Sequence, residues 1–372
     1  MDNLDLEAAA KAGLISEDQA LKLRNFHAVG RGETAADQER FGAIDGLSDI
    51  MTAFGLFLAI EALLAAISFF SLLLALPIAV FCWWLAKLFT LRRKLALTSV
   101  VLFLSYMLSA TIFGFAVVMF VTGRAELHGP AGLLFTTNMP FTTGTNLATG
   151  LIATAAGVLY WRRFQLPFAY AVTLYAATYV LTQFAHLMLP DDADRVADVA
   201  QLLSGLLFFA VAMAWDISDV RRETRRADVG FWLHVFAGYL LASGAFKLVF
   251  DTGSGSRGWD GMAHSAMGPA DSLAAMAMIG ITLLFALVAL AIDRRSLLLS
   301  SLGYVVPAVS SLAGASFIKT AMVSALAIGV TLAVTAAFWR PLRKFVLKGL
   351  PEVVRAQVPR TDLVYQKARP VT

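Results

Sequence analysis

From Asp49 to Thr90 the chain is almost uninterruptedly apolar, broken only by Glu61 and Lys87. As one α-helix these 42 residues would be about 63 Å long, twice the hydrocarbon thickness of a bilayer. Two membrane spans joined by a tight turn near Phe70 fit the run. The composition agrees: 58% of the residues are hydrophobic and 15% are charged, with a mean hydropathy of +0.71. A soluble chain carries nearer a quarter charged residues. The runs lack the period-two alternation of a transmembrane barrel, so the expected class is an all-α polytopic membrane protein.

Further apolar runs follow, each closed by charges. The third span is read from Leu95 to Val121, a short fourth from Thr145 to Trp161, and the fifth from Leu166 to Leu189. The sixth runs from Val196 to about Ala214. The seventh leaves the Arg221, Arg222, Arg225 and Arg226 cluster near Val229 and ends near Asp251. The eighth is Asp271 to Ile292, the ninth Ser296 to about Gly314, and the tenth Ser316 to Trp339. With ten spans the positive charges sort by side. Of 30 Lys and Arg residues, 24 fall on one side, three in the opposite loops (Arg124, Arg195, Arg257) and three inside apolar runs. Positive charge collects in cytoplasmic loops, so both termini and the loop 217–228 are expected in the cytoplasm. The net charge of +4 follows from this bias and does not point to nucleic acid.

Residues 1–46 are polar and read as a cytosolic helix pair with a linker. Leu4 to Ala12 forms one short helix stopped by Gly13. Ser16 and Gln19 have the spacing of a capping box that opens a second, running to about His27. Two helices this short are marginal alone, so residues 1–28 are expected to bind a cytosolic protein or a second copy of the chain. Gly30 to Ala36 reads as linker. Residues 47–339 form the bundle. Residues 340–372 read as an interfacial helix followed by a polar tail, with Leu342, Phe345 and Val346 on the apolar face and Arg343, Lys344 and Lys348 off it.

Ionisable residues inside spans mark candidate sites, because burying them in hydrocarbon is costly. Glu61, His186, Lys247 and Lys319 all fall in the outer half of their expected spans, while His234 lies in the inner half of the seventh. They form a candidate polar cluster in which Glu61 pairs with Lys247 or Lys319 around a cavity open to the outside. The alternative is that the lysines snorkel to headgroups and the histidines serve helix packing. No His, Cys, Asp or Glu set has metal-ligand spacing, and the single cysteine, Cys82, excludes a disulfide within the chain. Neither a cofactor fingerprint nor a hydrolase or zinc-protease motif occurs, so no catalytic residue is assigned. The fourth and ninth spans hold matching positions if the chain is a 5+5 inverted repeat. Both carry small residues and breakers, Gly144, Gly150 and Thr149 in one and Gly303, Pro307 and Ser311 in the other. Short or interrupted spans at such positions point to a transporter binding site; small residues also simply permit close helix packing.

Three stretches, LEAAAKAGLISEDQALKL, FTLRRKLALTSVVL and RRADVGFWLHVFAGYLL, resemble segments of uncharacterised bacterial membrane proteins grouped as a domain of unknown function, with an N-terminal soluble helix pair. The resemblance implies a multi-span protein of the bacterial inner membrane and carries no activity or site. The expected function is a non-enzymatic membrane protein that binds through its helix pair. The alternative is a secondary transporter of a small solute with a polar site near Glu61, and the third reading is a membrane-embedded enzyme acting on lipid.

Overall fold

The computed structural model describes residues 47–67, 74–123, 142–190, 193–219, 225–250, 272–297 and 317–352, with scattered positions between 9 and 23. All regular structure among the described residues is helical. In chain order it comprises α1 (Leu47–Ile67), α2 (Ala75–Ala86) running into a π-helical turn (Lys87–Arg92), α3 (Ala96–Val121), α4 (Thr143–Phe164) and α5 (Pro167–Met188). There follow α6 (Ala193–Ser218), α7 (Arg225–Phe250), α8 (Ser272–Ile292) and α9 (Phe317–Lys348). Four stretches are long and apolar enough to cross a membrane: Leu47–Ala65, Ala75–Arg92, Ala96–Val121 and Arg195–Ser218. They are the first, second, third and sixth of the expected spans. The expected turn near Phe70, the linker Gly30–Ala36, most of the loop 122–144, the loop 251–269, most of the ninth span and the tail from Arg360 lie outside the described residues.

Successive helices α3–α4, α4–α5 and α6–α7 run antiparallel, while α5 and α7 lie parallel with their starts together. Tyr160 near the end of α4 meets Phe103 near the start of α3 with its ring tilted (4.9 Å between centroids). Phe168 at the start of α5 meets Trp232 at the start of α7 (4.7 Å). One end of the bundle therefore gathers the turns that carry Arg92, Arg93, Arg162, Arg163, Arg294 and Arg295. Three of these turns close through residues with left-handed backbone: Lys94 (φ 55°), Gln165 (φ 51°) and Asp293 (φ 58°). A left-handed residue reverses the chain at a helix C-terminus and satisfies its last carbonyls. Thus Arg294 N–H donates to Ala289 O (2.9 Å) and Gln165 N–H to Trp161 O (2.8 Å). Pro167, free to occupy the first turn of a helix, then opens α5.

Helix contacts are filled in two ways. Large apolar residues from α1 to α4, with Ala169 of α5, form one core that includes Ile60, Cys82, Phe103 and Tyr160. Small residues let other helices approach. A methyl group added at Gly157 of α4 would collide with the Thr173 hydroxyl of α5, and the α6–α7 crossing places Gly205 against Leu241 and Gly244 against Leu202.

Several bounds differ from those read in the sequence. α4 is a full 22-residue helix capped at Thr142, longer at both ends than the expected short span. Thr142 Oγ1 accepts from Thr145 N–H (3.3 Å) and Thr145 Oγ1 accepts from Thr142 N–H (3.0 Å), which starts the helix upstream of Gly144. α6 extends to Ser218 and so takes in Asp216. α9 passes through Pro341 to Lys348, bent at Phe338 (φ −109°, ψ 19°). In the N-terminal region the expected signals are formed. Ser16 N–H donates to Gln19 Oε1 (2.9 Å), Gln19 N–H donates to Ser16 Oγ (3.2 Å), and Gly13 is left-handed (φ 73°).

Candidate functional site

The charged groups that the fold buries most deeply are at the arginine-bearing end. Asp216 stands on the last turn of α6, and α7 returns antiparallel beside it. Eighteen residues further along the chain, His234 Nε2 comes within 3.0 Å of Asp216 Oδ2. An ionised carboxylate only accepts, so in that state the imidazole proton on Nε2 points at Asp216. Arg294, first after the left-handed Asp293 at the end of α8, closes the group. Its Nε donates to Asp216 Oδ2 (3.0 Å), while its Nη2 donates to Asp216 Oδ1 and to Ala227 O (3.2 Å). Arg294 is 2% exposed and His234 0%. A planar guanidinium suits this two-pronged grip better than an ammonium would. Gly230 of α7 makes room: a Cβ there would lie 2.5 Å from Asp216 Oδ1 and 3.2 Å from Arg294 Nη2.

A second charged group sits on the other side of the same turn. Asp293 Oδ1 accepts from Trp339 Nε1 (2.7 Å), and Asp293 Oδ2 pairs with Arg343 Nη1 (3.4 Å). Arg343 is 1% exposed and its Nε donates to Leu290 O (3.2 Å). Arg295 lies over the Trp339 ring at 5.1 Å. The consecutive residues Asp293 and Arg294 thus tie α8 to α9 on one side and to α6 and α7 on the other. A third buried carboxylate, Asp49 of α1, caps α3: its two oxygens accept from Leu97 N–H (2.9 Å), Thr98 N–H (2.9 Å) and Thr98 Oγ1 (2.6 Å).

Of the five residues singled out in the sequence, His234 enters a charged site, with Asp216 and Arg294. Glu61 is half-buried on α1. His186 is half-buried near the end of α5, and its Nε2 is a buried atom without a hydrogen-bond partner among the described residues. Thr149 Oγ1 on the neighbouring α4 is in the same condition. The side chains of Lys247 and Lys319 lie outside the described residues. Among the described residues no group of His, Cys, Asp or Glu could hold a metal ion.

Sequence reasoning missed Asp216, Asp293, Arg294, Arg343 and Asp49. Arg294 and Arg343 were counted as loop and interface charges, which positive-inside reasoning places in water. No local spacing signalled the pair: Asp216 is two residues from the end of α6, whereas His234 is nine residues into α7. No protein-family model, curated protein or solved structure matches the chain.

Proposed function

We propose that the chain is an integral protein of the bacterial inner membrane with ten spans and both termini in the cytoplasm. It acts without catalysis, holding a cytoplasmic helix pair, residues 1–28, that binds another protein or a second copy. Four helices of membrane-spanning length and hydropathy support the membrane assignment. The gathering of arginine-bearing turns at one end supports the orientation. The binding role rests on one observation above all: Leu14, at the turn between the formed helix stop and the formed capping box, is 78% exposed. A partner docking on this polar region would cover that apolar side chain.

Two measurements test this. In a Cys82→Ala background, Glu223→Cys should resist a membrane-impermeant reagent in intact cells and react after permeabilisation; reaction in intact cells would overturn the orientation. A photoreactive residue at position 14 should give a discrete adduct in cells, either a homodimer or one defined heterologous product. Its absence removes the binding role.

A second reading, a secondary transporter of a small solute, is favoured by the partnerless His186 Nε2 and Thr149 Oγ1 on adjoining helices, with Glu61 as the coupling carboxylate. Proteoliposomes containing the protein and a trapped pH dye should then respond to one solute of a chemically diverse panel, and Glu61→Gln should abolish the response. Silence across the panel counts against transport.

A further inference from the structure

We propose that the last three turns of α9 form a headgroup anchor, in which Phe345 inserts into the bilayer surface while Lys344 and Lys348 hold the phosphates of anionic phospholipids. The apolar face expected from the sequence is not the one turned outward. Arg343 and Leu347 are buried, and Leu342, Val346 and Leu350 pack on the α8–α9 core. Fixing Arg343 to Asp293 and Leu290 O rotates the segment by roughly a quarter turn from the expected face, at about 100° per residue. The opposite side then carries Pro341, Lys344, Phe345 and Lys348, all exposed, with Phe345 at 79%.

Three observations identify lipid as the occupant. First, this face continues the exposed apolar stripe of the earlier part of α9: Leu326, Val330, Val334 and Phe338 recur every four residues and are 45% exposed or more, on a face that meets acyl chains if α9 spans the bilayer. Second, the bend at Phe338 separates the two parts, so the terminal turns take a direction of their own, set by their packing on α8. Phe345 is six residues beyond Trp339, the end of the expected span, about 9 Å along the helix, which brings it to the headgroup layer. Third, the aromatic ring is flanked by lysines one residue before and three after, and anionic headgroups complement that charge.

The inference needs α9 to span a membrane but not the cytoplasmic orientation, which the cysteine labelling above tests separately. The full chain carrying Cys82→Ala and Phe345→Cys is labelled with an environment-sensitive fluorophore and reconstituted in mixed phosphatidylglycerol and phosphatidylcholine vesicles. Bromine, a quencher, is placed on one lipid species at a time. Brominated phosphatidylglycerol should quench better than brominated phosphatidylcholine. That preference should fall about five-fold for each of Lys344→Gln and Lys348→Gln, and largely disappear in molar salt. A label that emits as in water, with no quenching by either lipid, overturns the anchor. Equal quenching by both lipids, unchanged by the lysine substitutions, overturns headgroup recognition.

Discussion

Arg294 and Asp216 illustrate how a charge survives burial: each oxygen of the carboxylate is occupied, and the arginine's third contact goes to a backbone carbonyl. Such a group contributes little beyond what an apolar replacement of the same shape would, but opening it is costly. Arg294→Met should therefore lower stability by about 3–5 kcal/mol, because Asp216 and His234 keep their places without the cation. The double change with Asp216→Leu should recover much of the loss, and thermal unfolding in detergent would show whether it does. Equal losses in the single and double variants would mean that packing, and not the uncompensated charge, sets the cost. Gly230→Ala tests the same spot from its floor: a methyl group 2.5 Å from Asp216 Oδ1 forces the carboxylate out of its hydrogen bonds, a loss of about 1–3 kcal/mol.

Helix pairs in this protein are fixed by what stands at their ends and crossings. Asp49 on α1 satisfies two backbone N–H groups at the start of α3, so one carboxylate both caps a helix and joins it to another. Asp49→Ala should cost about 2 kcal/mol, the upper range for a lost cap, and Asp49→Asn less, since an amide oxygen still accepts; a thermal melt of the three proteins ranks them. At the α4–α5 crossing, Gly157→Ala should destabilise through the Thr173 hydroxyl, and adding Thr173→Ala should relieve it. Elements of this kind were partly legible in the sequence. The hydrophobic runs marked the helices, and the basic pairs and Gly13 marked where they stop. The capping box at Ser16 and Gln19 was readable because its signal is local. The partner of Asp49 was not, since nothing in residues near 49 specifies that Leu97 and Thr98 will arrive there. α4 looked too short for a different, local reason: Gly144 read as a break, whereas Thr142 caps the helix two residues earlier.

At the scale of the molecule, the unequal ends decide what the chain tolerates. A chain beginning at Phe41 should still reach the membrane and run as a single species in detergent, because the helix pair precedes every core described; degradation of that shortened chain would show that the pair packs on the bundle. The charged candidate site belongs to this scale too. It joins residues 78 positions apart, Asp216 and Arg294, and only the assembled bundle makes it visible. The left-handed turns at Lys94, Gln165 and Asp293 have a further consequence. Helical backbone resumes after three residues at the first and two at the others, at Ala96, Pro167 and Arg295, with a left-handed shape that costs a side-chain-bearing residue about 1–2 kcal/mol. A turn so short has no slack. An epitope inserted after Gln165 should abolish accumulation of the protein, whereas the same epitope after Gly132, in the stretch between Thr122 and Thr142, should be carried without loss; immunoblots of membrane fractions distinguish the two. Length changes between relatives of this chain should accordingly spare those three reversals and fall in the longer connections.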